Sequence, residues 1–235
     1  MASMHMAFKS GKPGKAAGHA QYIGRLGPYK ARGSDDLVAT WHGNLPPGIE
    51  EPMMLWQAAD KGERVNGAAY REIVGALPRE LTVEQNTDLV KELVRKIIPN
   101  KPHQVAIHNP DAALASGSQP HFHLMFSDRI ADGIARPPEI MFRRYNPTHP
   151  ERGGYRKDSG GKSPVELKEQ AKALRETFAT LQNIFLERFG HEARVDHRSY
   201  RDRGMSRAVE HHLGPAAIRA MTKEERVAFV GSRTH

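Results

Sequence analysis

His121-Phe122-His123-Leu124-Met125-Phe126-Ser127-Asp128 reads as one β-strand with two unlike faces. Side chains alternate across a strand, so His121 and His123 project to one side while Phe122, Leu124 and Phe126 pack behind them. The segment Gln104–Asn109 (QVAIHN) is also short, apolar and bounded by turn-forming residues, and it carries His108 near its end. The intervening loop, Pro110 to Pro120, suits an antiparallel pairing of the two strands. Pairing brings His108 towards the His121/His123 face and makes a candidate three-nitrogen metal site. The chain has no cysteine, so disulfides and thiolate zinc sites are excluded. Three imidazoles with positions left open suit a borderline or harder divalent ion that polarises a phosphoryl oxygen. His-x-His is a common spacing, and ordinary hydrogen-bonded histidines are the bland alternative.

Working outward, Ala69–Leu77 (AYREIVGAL) has the alternation of a third strand, with Tyr70, Glu72, Val74 and Ala76 on one face. Thr82 followed by Gln85 forms a capping box before Leu89, Val90, Leu93, Val94 and Ile97, which predicts a helix over Val83–Ile97. Ser163-Pro164-Val165-Glu166 starts a second long helix that Gly190 stops, with an apolar stripe of Leu167, Ala171, Leu174, Phe178 and Leu181. Thr222–Val230 reads as a short helix. Residues 1–52 read as an irregular basic surface with one helical stretch, Ala16–Arg25. Phe142–Gly161 reads as a long polar loop, a feature that in compact domains is usually functional or disordered.

Lys and Arg number 35 against 27 acidic residues, a net charge of +8 that favours a polyanionic partner. No stretch approaches a membrane span and no signal peptide is visible, so the cytoplasm is the expected compartment. Gly18–Arg25 (GHAQYIGR) places Tyr22 among basic residues. A tyrosine hydroxyl that attacks a phosphodiester keeps the bond energy in a phosphotyrosine, so the strand can be rejoined. Composition leaves Tyr22 and Tyr29 equal as candidates, with a packing role open for each. Gly11, Gly14, Gly18, Lys12 and Lys15 lack the spacing of a phosphate loop. Arg143, Arg144, Tyr145, Arg156 and Lys157 combine cations with aromatics, the composition that grips phosphates and stacks on unpaired bases.

Taken together, the chain resembles the MobA/MobL-type (MOBQ) relaxases of mobilisable plasmids, within the HUH endonuclease superfamily. The markers run from about His5 to Ala217. They are Tyr22-Ile23-x-Arg25, Trp56-Gln57-Ala58-Ala59-Asp60 with Glu63-Arg64-x-Asn66-Gly67, Ala76-Leu77-Pro78-x-Glu80-Leu81, and Ala106-Ile107-His108. Pro120-His121-x-His123-Leu124-Met125 with Asp128-Arg129, Arg144-Tyr145-Asn146, Asp196-His197-Arg198 and His212-Leu213-Gly214-Pro215 complete them.

The resemblance implies an α+β fold, a central antiparallel sheet flanked by helices with the histidine pair on a middle strand. It implies Tyr22 as the nucleophile at the nick site of an origin of transfer, leaving a 5′-phosphotyrosine and a 3′-hydroxyl. It implies His108, His121 and His123 as ligands of Mg²⁺ or Mn²⁺. Glu72 is expected to orient a histidine or accept the tyrosine proton. Arg25, Tyr29, Arg143, Arg144, Tyr145, Arg156 and Lys157 are expected DNA contacts, and Asp196, His197 and His212 structural or DNA-positioning residues. The implied partners are single-stranded or melted origin DNA, accessory mobilisation proteins and a coupling protein. Residues 1–235 are expected to be a single nicking domain of a protein that in this family often continues into a helicase or primase region. The competing readings are a rolling-circle replication initiator, whose tyrosine usually follows the histidines, a non-catalytic DNA-binding protein, and a metal-dependent hydrolase that forms no covalent link.

Overall fold

A computed structural model of the chain describes residues 4–30, 36–112, 114, 117–206 and 215–231. The elements run β1 (Met6–Gly11), α1 (Ala16–Ile23), β2 (Leu37–Gly43), α2 (Pro52–Gly62), β3 (Tyr70–Ala76), α3 (Val83–Ile97), β4 (His103–His108) and β5 (His121–Phe126). They continue with β6 (Arg129–Ile130), α4 (Pro138–Met141), β7 (Arg156–Lys157), α5 (Pro164–Arg188), α6 (Pro215–Ala220) and α7 (Lys223–Gly231). A five-stranded sheet in the order β1-β3-β5-β4-β2 carries the histidine strand β5 at its centre. All its pairings are antiparallel. None of the described helices is long and apolar enough to cross a membrane.

The two faces of the sheet bury different sets of residues. On one, Ile73, Val105, Ile107, Phe122 and Leu124 pack under α3 and the C-terminal half of α5. Thr82 caps α3 in a reciprocal box with Gln85, and Leu89, Val90 and Leu93 are fully buried, each contributing about 1.5–3 kcal/mol. Gly75 makes room here, since a Cβ on it would lie 2.3 Å from the Phe122 ring. On the opposite face, Tyr70, Ala106 and Met125 pack under α1, α2 and α4.

Two expectations need correcting, and one helix is an addition to them. Residues 1–52 are not an irregular region with one helix, because β1 and β2 form both edges of the sheet. Each is an edge strand paired on one side only, and β1 buries just Met6, so neither needed a strong apolar alternation. Helix α2 was not read at all, although Pro52 at its first turn and Leu55, Trp56, Ala58 and Ala59 at helical spacing are its signal. The stripe on α5 is buried at Phe178 and Leu181 but not at Leu167, which is 40% exposed. Helix α3 covers only the second half of α5.

The segment Phe142–Gly161 is ordered by two buried arginines. Arg129 donates to the carbonyls of Phe142, Arg143 and Tyr155 and pairs with Glu63 at 2.7 Å. Arg136 donates to the carbonyls of Pro150 and Gly153, forks onto Asp132, and lies over the Tyr155 ring. The short pairing of β6 with β7 closes the same unit.

Glu63 also faces Lys157, whose Nζ is 3.0 Å away. Burial raises the Glu63 pKa, and the bonds from Arg129 and Lys157 outweigh it, so the carboxyl ends below its ordinary value. A folded pKa below the unfolded one adds stability that is complete above the unfolded value and is lost as pH falls through the folded value. Glu63→Gln should therefore melt lower at neutral pH and lose less further stability on acidification below about pH 4.5. Parallel melting-temperature profiles for mutant and parent would contradict this.

Candidate metal and nucleophile site

The register of the two central strands sets His108 directly opposite His121, with His123 two residues further along β5. The three ring centroids lie 5.4–5.5 Å apart. The imidazoles thus converge on the face covered by α1, as the strand reading requires.

Each ring has an oxygen at Nδ1. His123 Nδ1 is 2.7 Å from Glu72 Oε1, His121 Nδ1 is 3.0 Å from the Gln119 carbonyl, and His108 Nδ1 is 3.3 Å from Asp36 Oδ1. An N–H donated at Nδ1 fixes the tautomer and leaves the Nε2 lone pair for a ligand role. His108 has a second contact, Nε2 to the Ile23 carbonyl at 2.9 Å. Burial, then the Arg25 charge, pushes the His108 pKa down to about 4, so at neutral pH the ring has one proton for two acceptors. When Asp36 takes it, Nε2 is left with a lone pair and no donor. Burial also lowers the pKa of His121. Neutral imidazoles without a thiolate are the donor set that a hard or borderline divalent ion accepts.

Glu72 is 2% exposed, and its Oε1 accepts from both His123 and His19, the latter at 2.7 Å. Burial raises its pKa, but the bonds from His123 and His19 bring it down to about 2. It is a carboxylate at neutral pH. The ligand atoms of His19, Glu72 and His123 also lie within 4.8 Å of one another. Both rings hydrogen-bond to the same Glu72 oxygen, so we read this group as an orienting network beside the three histidines.

Helix α1 presents Tyr22. Ala16, Ala20 and Ile23 bury one side of it, while Tyr22 is 44% exposed. The backbone N–H groups of Ala16 and Ala17 donate to the Asp60 carboxylate at 2.8 and 2.9 Å, so α2 caps α1. Trp56 ties α2 to the sheet through Nε1 to Gln104 Oε1 at 2.9 Å. After the helix, Arg25 takes a left-handed conformation at φ 51°. Its guanidinium donates to both oxygens of Asp36 at 3.0 and 2.7 Å and lies 5.2 Å from the Tyr22 ring centroid. Tyr29 meets the Tyr22 ring edge-on at 5.5 Å.

The structure therefore gathers Tyr22, Arg25, Tyr29, Glu72, His108, His121 and His123. Arg143, Arg144 and Arg156 are exposed and Tyr145 is half-buried on the Arg129-anchored segment. Among the described residues, no hydrogen bond, ion pair or ring contact joins them to the histidines. Lys157 turns inward to Glu63 and the Ala68 carbonyl. Asp196 forks onto Arg198 at the surface, and His212 lies outside the described residues. Sequence reasoning missed His19, Asp36 and Asp60. His19 had a signal, being one helical turn before Tyr22. Asp60 stood in a family marker but no role was read for it, and Asp36 had no signal, because their partners in α1 and β4 are distant in sequence.

Residues 29–223 match the model of the MobA/MobL family. A "43 kDa relaxation protein" of Salmonella typhimurium is 44% identical over 209 residues, covering 88% of this chain and 56% of that protein. A "Mobilization protein A" of Escherichia coli is 39% identical over 223 residues, covering 93% of this chain and 30% of that protein. The chain thus spans about half or less of the length of these relatives. A structure described as "Molecular Basis of Vancomycin Resistance Transfer in Staphylococcus aureus" shares the fold, with a TM-score of 0.57, 22% identity, and coverage of 85% of this chain and 100% of that one. By the extent of the family match and the identity of its relatives, the chain belongs to the MobA/MobL family.

Proposed function

We infer that the chain is the nicking domain of a DNA relaxase that cuts one strand at an origin of transfer and later rejoins it. The observation that carries this reading is an exposed tyrosine on a capped helix beside three convergent, carboxylate- or carbonyl-oriented imidazoles. Tyr22 is the nucleophile. Its Oη bonds to the scissile phosphorus while the P–O3′ bond breaks, and its proton departs as the 3′ oxygen gains one. The product is a 5′-phosphotyrosine and a 3′-hydroxyl, which reverses when the 3′-hydroxyl attacks. His108, His121 and His123 would hold a divalent ion, Mg²⁺ or Mn²⁺, which when bound would supply Lewis-acid stabilisation of the charge on the phosphoryl oxygens. Glu72 and Asp36 orient His123 and His108. Arg25 joins Asp36 to the Tyr22 ring, so its DNA role is indirect. Arg143, Arg144, Tyr145 and Arg156 contact the strand near the site, together with Tyr29. Lys157 supports that segment through Glu63. Accessory mobilisation proteins and a coupling protein deliver the melted origin.

The test incubates the protein with single-stranded origin DNA and Mn²⁺, with and without chelator. A denaturation-resistant adduct that chelator prevents is expected. Free ends without an adduct would instead make the chain a hydrolase, and intact DNA bound by the protein would make it a binding module. Binding to single strands should weaken steeply with salt, as phosphate contacts release counterions.

Asp36 gives a second measurement independent of cleavage. Asp36→Asn should lower Mn²⁺ affinity about 10–100-fold in a calorimetric titration, the usual effect of removing a partner behind a histidine ligand. An unchanged affinity would take His108 out of the ligand set.

A further inference from the structure

We propose that His19 is a positioning residue for Tyr22, tying the nucleophile's ring to the same buried carboxylate oxygen that orients His123. The proposal rests on the reading of Tyr22 as the nucleophile. Helix α1 has only eight residues and is too short to hold its shape alone. Its buried side is two alanines and Ile23, so little bulk prevents it from rolling about its axis. Asp60 fixes its beginning and Arg25 its end, and neither grips the Tyr22 ring from the sheet.

His19 does. It precedes Tyr22 by three residues and so shares its face of the helix. Its ring stacks on Tyr70 at 5.0 Å with planes 11° apart, and on Tyr22 at 6.1 Å and 28°. Tyr70 is a rigid backstop, 8% exposed and flush against Gly11, where a Cβ would lie 1.9 Å from the Tyr70 ring. His19 Nε2 donates to Glu72 Oε1 at 2.7 Å, which fixes the rotation of the middle ring. The Tyr22 side chain meets the His19 ring, the Tyr29 ring and the Arg25 guanidinium, which also interacts with its hydroxyl. Of these, Arg25 is committed to Asp36 and Tyr29 ends a single 3-10 turn outside the sheet, which leaves His19 as the direct link from Tyr22 to the central strands.

Two readouts test this. In single-turnover cleavage at saturating protein, His19→Ala should be on the order of 10–100-fold slower, the scale of a small misplacement of a reacting group. DNA affinity should stay within about twofold, as for a side chain that does not contact the strand. In ion-free protein, 3-fluorotyrosine at position 22 should give a resonance displaced by the His19 ring, and His19→Ala should move it towards the free amino acid. His19→Phe keeps the stack without the donor, and His19→Gln keeps a donor without the stack. If the alanine variant does not fold, these two carry the same comparison: Phe should hold the resonance and Gln should not, and both should cleave at intermediate rates. An unmoved resonance, an unchanged rate, or a rate that falls only in step with DNA affinity would overturn the proposal. The resonance does not depend on cleavage, so a failure of the relaxase reading would show separately as free ends without an adduct or as uncut DNA in the parent protein, and a failure of the Tyr22 assignment as an adduct that persists in Tyr22→Phe.

Discussion

Tyr22→Phe is expected to abolish the covalent adduct and to slow strand cleavage on the order of 10⁴–10⁶-fold, the range for removing a nucleophile from an otherwise intact site. The substitution removes only the hydroxyl. The ring can still lie between His19 and the Arg25 guanidinium, and the helix remains capped by Asp60. Affinity for single-stranded DNA should therefore stay within about twofold of the parent, the scale of an exposed change away from packed features. Tyr29→Phe is the matched control, since it removes the other candidate hydroxyl and keeps the ring that meets Tyr22 edge-on. It should keep the adduct. Tyr70 is no alternative nucleophile, because burial, Glu72 and Asp60 push its phenol up to about 12. Loss of the adduct with Tyr29→Phe and its survival with Tyr22→Phe would reverse the assignment.

Arg129→Met should be the most destabilising single change outside the apolar core. Arg129 is 6% exposed and binds three carbonyls and the Glu63 carboxylate. Methionine fills the volume but leaves Glu63 with Lys157 as its remaining cation and orphans carbonyls at both ends of the Phe142–Tyr155 segment. Breaking a buried pair from one side costs about 3–5 kcal/mol, against the 5–15 kcal/mol that holds a typical domain together. The melting temperature should fall by about 6–20 °C for a chain of this size. DNA affinity should drop as well, since Arg143 and Arg144 would lose their anchored backbone. Arg198→Ala, which removes an exposed partner of Asp196, should stay within about 1 kcal/mol. Equal melting curves for Arg129→Met and the parent would mean that the segment is held by something other than this cluster.

Much of this molecule was legible without coordinates. Strict alternation in residues 121–126 fixed the face of each histidine, and the Thr82/Gln85 and Ser163/Glu166 boxes started α3 and α5 where the structure has them. These are local signals: a strand's two-residue period and a cap's three-residue spacing are set by backbone geometry, whatever the chain packs against. The edge strands were not legible, because they are defined by ladder bonds to β3 and β4 that no property of residues 6–11 or 37–43 announces. The site divided the same way. The histidines were named from strand spacing, and Tyr22 was singled out from Tyr29 by the family resemblance. Only the tertiary structure brought Asp36 to His108 across 72 positions, Asp60 to the start of α1 across 44, and His19 to Glu72 across 53. Orientation of a ring needs a partner at hydrogen-bond distance, and which partner arrives there depends on how the helices settle on the sheet. Residue type and spacing thus determined which groups could do the chemistry, and packing alone decided how they are aimed.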